Sequence, residues 1–195
     1  MGQRPRPADD RRRPQADVPD LSIFPTNLGW FGLLGRADLL LGVLVGHASA
    51  PEVRRAAARQ LGEADRNGNF RECDWSPELR RRLAQYALGA RVEFHDVQLE
   101  LPGLTDFQRR VFAATRRIRY GQTLSYGELA EKAGFPRAAR GVGTVMKSNR
   151  FPIVIPCHRV IAAGGRVGGY SSPQGVGLKL RLLAQEAGEG IGSSE

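Results

Sequence analysis

The second of the chain's two cysteines, Cys157, stands directly beside His158 in the stretch "FPIVIPCHRVI". A thiol is a weak nucleophile until a neighbouring base or cation helps it toward thiolate, so a Cys–His pair is a candidate for nucleophilic chemistry. Side chains at i and i+1 of an extended segment point apart, so the histidine is expected to reach the thiol through a bridging water rather than by contact. Its other nitrogen needs a carboxylate to fix the tautomer. Between Lys132 and Gly188 the sequence offers one acid, Glu186, in "LKLRLLAQEAG", where it shares a helix face with Lys179, Leu182 and Leu183. A lone Cys–His pair reads first as packing. The apolar run before it, read as a buried strand, the single acid and the basic surroundings turn the reading toward catalysis. Cys73 and His95 read as packing or surface residues. Cys157–His158 is also the one close pair of soft ligands, and adjacent residues rarely chelate one zinc, so neither a metal nor another cofactor is expected.

The net charge of +9 is concentrated. From Lys132 to Gln185 there is no Asp or Glu, and nine basic residues stand there: Lys132, Arg137, Arg140, Lys147, Arg150, Arg159, Arg166, Lys179 and Arg181. Such a block points to a polyanionic partner, nucleic acid first, with a solvated basic surface as the plain alternative. No apolar run reaches the roughly 18 residues of a membrane span, so no membrane partner is expected. The first 20 residues are rich in proline and charge and lack the apolar core of a signal peptide; they are expected to be a disordered tail. With no disulfide framework, the chain is expected to be cytoplasmic; it is expected to meet a nucleic-acid partner as a monomer.

These residues need elements to position them. Residues 28–46 read as two strands joined by a polar turn at Arg36–Asp38. A helix is expected from Pro51, with Ser49 as N-cap, and a second after Ser76, with Leu79, Leu83 and Tyr86 as its buried stripe and Gly89 as its end. "RVEFHDVQLEL" alternates as a strand whose phase slips near His95–Asp96. Strands and helices together make residues 21–101 a small α/β domain, in which the sequence shows no catalytic constellation. Pro102–Gly103 is read as the boundary. Residues 102–188 then form a mainly α domain, followed by a tail at 189–195. A capping box from Thr105 to Gln108 opens a helix with Phe107, Val111, Ala114 and Ile118 inward, and a second, Ser125 to Glu128, opens a short one that stops at Gly134. A third helix is expected from Pro136, with Val142, Val145 and Met146 inward. The last two read as a helix-turn-helix, winged-helix-like in its setting, or else as an ordinary helical hairpin. Arg140, Gly143, Thr144 and Lys147 share the outer face of the third helix. Glycine on an exposed helix face costs about 1 kcal/mol relative to alanine. Gly141 and Gly143 are therefore read as admitting close approach to another surface, with Arg140 projecting from the middle. That suits a helix pressed into a DNA groove.

Taken together, "SYGELA", "RAARGVGTVMKSN", "IPCHRVI", "GGYS" and "KLRLLAQE", in that order over residues 104–188, resemble the O6-alkylguanine-DNA alkyltransferases, the methylated-DNA–protein-cysteine methyltransferases. The resemblance implies direct-reversal DNA repair. Cys157 would take the alkyl group from a flipped O6-alkylguanine in double-stranded DNA, once and irreversibly, with O4-alkylthymine left open as a second substrate. His158 would act as base through a water, and Glu186 would orient it. Asn149 would hold the loop between recognition helix and active-site segment. Tyr126 would donate toward N3 of the base, and Arg140 would fill the vacated stack. Ala139, Gly141, Gly143, Thr144 and Lys147 would line the DNA face of the helix. Tyr170 would wall the pocket, Ser171 would hold O6, and the carbonyls of Cys157 and Val160 would accept from the exocyclic amine. The chain departs from the family pattern at Asn149–Arg150, where Asn-Pro is usual, and in the longer loop "SSPQGVG" after Tyr170. Two other classes stand beside this reading: a lesion-sensing helix-turn-helix protein with an inert cysteine, and a Cys-His-Glu hydrolase that turns over.

Overall fold

The computed structural model describes residues 18–62 and 69–188. The tails expected at 1–20 and 189–195 lie outside those residues, apart from 18–20, of which Asp20 opens the first strand. Three antiparallel strands, β1 (Asp20–Thr26), β2 (Gly29–Arg36) and β3 (Leu39–His47), form a meander, followed by α1 (Ala50–Gly62). The two-residue β4 (Arg71–Glu72) adds in parallel to β1, giving the order β3-β2-β1-β4. Strand β1, which follows Pro19 and contains Pro25, is absent from the sequence reading, and proline is tolerated in a strand chiefly at an open edge. β4 pairs only with Asp20 and Leu21, so Pro25 lies where that edge of β1 is open.

Alternation along the strands divides the sheet into two buried faces. Leu21, Leu34 and Leu44 pack under Val53, Ala57 and Leu61 of α1. Gly32 lets α1 settle there: a Cβ at that position would lie 2.5 Å from Val53 Cγ1. The opposite face, with Phe24, Phe31, Leu33, Val43 and Val45, packs on α2 (Pro77–Ala87) through Leu79, Leu83 and Tyr86. That second cluster continues without a break into the helices of the C-terminal part.

The strand expected over "RVEFHDVQLEL" does not form. Only Leu99 bridges to Leu40 of β3, and residues 95–96 make a turn. The Arg116 guanidinium gathers the carbonyls of Phe94, His95 and Val97 at 2.9, 3.0 and 3.0 Å, so a side chain satisfies this backbone in place of a neighbouring strand.

Both capping boxes are present. Thr105 opens α3 (Asp106–Arg116), and Ser125 opens α4 (Tyr126–Lys132) directly after the short strand β5 (Leu124–Ser125). Helix α5 (Ala139–Lys147) begins three residues later than Pro136, because Arg137 sits at φ 72° in the turn. Helices α3, α4 and α5 pack together over Val111, Leu129, Val142 and Val145. Strand β6 (Val160–Ile161) pairs in parallel with β5, and α6 (Gly175–Glu186) closes the chain.

Candidate active site

Residues 151–159 are buried, as an apolar run requires, but they are not a strand. Pro152 and Pro156 cannot donate to a ladder, Ile153 turns at φ 73°, and the Ile155 amide reaches back to the Phe151 carbonyl at 2.7 Å. A β-branched residue in the left-handed region is strained and needs its surroundings to hold it. Here Ile153 is locked by burial and Asn149 ties the turn. The Asn149 amide donates to the Ile155 carbonyl at 2.9 Å and to Cys157 Sγ at 3.0 Å, while its oxygen accepts from the Phe151 amide at 3.0 Å. The turn delivers Cys157, His158 and Arg159 as one 3₁₀ turn, pinned on its far side by β5–β6.

Glu186 collects the polar groups of this turn. His158 Nε2 lies 3.0 Å from Glu186 Oε1, and both residues are buried. Arg159 forks onto the same carboxylate, Nε to Oε2 and Nη2 to Oε1, each at 2.8 Å, and its Nη1 donates to the Ile118 carbonyl at 2.6 Å. The Gly121 amide adds a donor to Oε2 at 3.2 Å, and the Tyr86 hydroxyl donates to Oε1 at 2.6 Å. Burial alone would raise this carboxyl, but the donors from His158 and Arg159 hold it far below the ordinary range, so it is ionised. An ionised acceptor at Nε2 places the imidazole proton there. Nδ1, buried and without a hydrogen-bond partner among the described residues, is left as the acceptor. Burial lowers the His158 pKa against the pull of Glu186, so the ring is a neutral base at neutral pH. The Cys157 thiol is pushed up by burial, which outweighs the Asn149 hydrogen bond and the nearby Lys179 ammonium. A protonated buried thiol beside a neutral imidazole with a free nitrogen is an arrangement that can supply a nucleophile and its base. Among the described residues, Cys157 Sγ has its side-chain hydrogen bond from Asn149 and none from the His158 ring.

Three members of this site are missing from the sequence reading. Arg159 and Lys179 stand there as phosphate-binding cations, yet both are buried: Arg159 on Glu186, and Lys179 with its Nζ on the Val160 carbonyl at 2.6 Å. The basic surface therefore rests on the other seven residues of that block. Tyr86 comes from the unit in which no catalytic group was expected. A tyrosine on the apolar stripe of α2 was the available signal, since a buried hydroxyl must find a partner.

Residues 106–188 match the family described as 6-O-methylguanine DNA methyltransferase, DNA binding domain. A methylated-DNA–protein-cysteine methyltransferase of Mycobacterium leprae is 41% identical over 144 residues, which are 74% of this chain and 84% of that protein. The Mycolicibacterium paratuberculosis protein of the same name is 49% identical over 105 residues, 54% of this chain, which spans 61% of that relative's length. The crystal structure of Mycobacterium tuberculosis O6-methylguanine methyltransferase superimposes over 90% of this chain and 97% of its own with a TM-score of 0.70 at 31% identity. Another structure, of Mycobacterium tuberculosis OGT in complex with DNA, gives a TM-score of 0.69 at 30% identity over 87% of this chain and 93% of that one.

The chain belongs to the methylated-DNA–protein-cysteine methyltransferase family.

Its members' motifs can now be located in this methyltransferase-family fold. Tyr126, half-buried at the start of α4, has its hydroxyl 2.7 Å from where a Cβ on Gly168 would stand, so Gly168 is needed for their approach. The Tyr170 hydroxyl is buried and without a partner among the described residues. Ser171 is exposed, and its hydroxyl donates to the Lys147 carbonyl at 2.9 Å. In this arrangement its proton is engaged at the end of α5. The Val160 and Cys157 carbonyls each already accept one bond, from Lys179 Nζ and the Val160 amide, which leaves each a second lone pair. On α5, Arg140, Thr144 and Lys147 are exposed together, with Ala139 and Gly143 half-buried beside them. Gly141 does not belong to that face. A Cβ there would lie 3.1 Å from the Phe107 ring, so this glycine permits the contact of α5 with α3.

Proposed function

We propose that this chain repairs DNA by taking the alkyl group of O6-alkylguanine onto Cys157, once per molecule. The observation that carries the reading is the juxtaposition of a buried thiol, held by Asn149, with a neutral His158 whose Nε2 proton is fixed by Glu186. In the step itself the thiol proton passes through water to His158 Nδ1. The sulfur attacks the alkyl carbon, the carbon–O6 bond breaks, and its electron pair stays on the guanine, which takes up a proton. The thioether has no good leaving group, so nothing regenerates the thiol.

A base inside a duplex hides its O6, so the reaction requires extrusion, which costs a few kcal/mol. The exposed row of Arg140, Thr144 and Lys147 supports α5 as the helix laid in the groove, with Arg140 filling the gap and offsetting part of that cost. The Mycobacterium tuberculosis relative crystallised in complex with DNA supports the same partner. Both cysteines are free thiols, and no described helix is long and apolar enough to cross a membrane, which fits a cytoplasmic site of action. Titrating a duplex containing O6-methylguanine with the protein tests the reading. Repair should stop at one base per molecule; continued turnover would indicate a hydrolase, and no repair a lesion sensor.

A further inference from the structure

Tyr86 is fully buried on α2, in the sheet-bearing unit, yet its hydroxyl touches both partners of the relay. It donates to Glu186 Oε1 at 2.6 Å, 100 positions along the chain, and lies 3.2 Å from His158 Nε2. The ring is held edge-on against Phe94 and Tyr120, with centroids 6.0 and 6.2 Å away, so the hydroxyl has little freedom to turn elsewhere. Packing alone would be served as well by phenylalanine. A buried hydroxyl is kept in an apolar stripe only if its bond matters to something.

We propose that Tyr86 is a positioning residue for alkyl transfer: its hydroxyl fixes the Glu186 carboxylate against His158, and through that bond the N-terminal unit sets how readily His158 takes the thiol proton. Oε1 accepts from Tyr86, His158 and Arg159 at once. Each donor draws charge from the oxygen and makes it a weaker partner for an imidazolium. Short hydrogen bonds to a carboxylate are the strong ones, so the 2.6 Å bond outweighs the longer approach of the same hydroxyl to Nε2. Without it, Glu186 would hold an imidazolium more tightly, and His158 would be a free base over a narrower pH range. The other ionisable groups around the ring stay in place: Glu186 and Lys179 on α6, Arg159 and Cys157 beside it in the chain, and Tyr170 and Tyr120 across the site, with Glu93 acting on Arg159.

The proposal rests on the alkyl-transfer reading above, and one experiment separates the two. Single-turnover transfer from a duplex containing O6-methylguanine is followed against pH for the full chain and for Tyr86→Phe. The variant should lose about five- to twenty-fold in rate even where the ring is neutral, because the carboxylate is no longer fixed against it; its acid limb should move up by about half a pH unit or more, and its DNA affinity should stay within about two-fold. A purely structural tyrosine would lower stability and leave the limb where it is, which would overturn the proposal while wild-type transfer kept the functional reading intact. Absence of transfer by the wild type would overturn both. If Tyr86→Phe does not fold, 3-fluorotyrosine placed at position 86 keeps the shape and strengthens the donor. The limb should then move down, and an unmoved limb overturns the proposal.

Discussion

Asn149 Nδ2 lies 3.0 Å from Cys157 Sγ while the same side chain closes the 149–155 turn through Phe151 and Ile155. One buried amide thus shapes the loop and stabilises negative charge on the sulfur. Asn149→Ala should leave the buried Phe151 amide without a partner, at about 1–3 kcal/mol, while the Ile155 carbonyl keeps the Cys157 amide as its donor at 2.7 Å. It should also raise the thiol pKa further. Urea unfolding gives the first effect, and the pH dependence of thiol alkylation on folded protein gives the second.

Glu186→Gln should cut the transfer rate by one to several orders of magnitude, by analogy with losing the orienting acid of a triad. The structure adds a stability cost, because the variant strands the buried Arg159 guanidinium as well as His158, and breaking a buried pair typically costs about 3–5 kcal/mol. Transfer rate against pH, measured below the unfolding midpoint, separates the two effects. Coincident curves for wild type and variant would remove Glu186 from the relay.

The elements were legible in the sequence where local chemistry decides them. Capping boxes fix the starts of α3 and α4, and the stripe Leu79–Leu83–Tyr86 fixes the buried face of α2. What escaped was decided by contacts that no cap or periodicity encodes. The 91–101 alternation was overruled by one guanidinium, Arg116, and the run before Cys157 by two prolines and the Asn149 bracket. Glu186 could be picked as the one available acid of its segment, but Arg159 and Lys179 looked like phosphate ligands because charge is visible in a sequence and burial is not. Tyr86 lies too far along the chain from Glu186 for any local pattern to join them.

Arg140→Ala should slow repair of duplex DNA by at least about ten-fold, since the unstacking cost it offsets is a few kcal/mol. Reaction with free O6-benzylguanine, which needs no extrusion, should hardly change. Equal losses on both substrates would put Arg140 in the pocket or the fold instead. Lys147→Ala should reduce the slope of log affinity against log salt by about one.

The pH dependence of stability follows from His158. Its folded pKa is depressed by burial, so the unfolded chain binds the proton more readily. The stabilisation is present above the unfolded value of about 6.5 and is lost as pH falls from there toward the lower folded value. His47, also lowered by burial, adds in the same direction. Urea midpoints at pH 7.5, 6.5 and 5.5 should therefore fall steadily, and a flat series would mean that neither ring is held neutral.

The central claim is that the alkyl group ends on Cys157 and stays there. Intact mass after incubation with excess duplex containing O6-methylguanine, followed by peptide mapping, tests it most directly. The account expects a gain of one methyl group per chain, located on Cys157, with Cys73 unmodified and Cys157→Ser still binding the duplex without gaining mass. An unchanged mass alongside repaired DNA, or a methyl group found on Cys73, would contradict it.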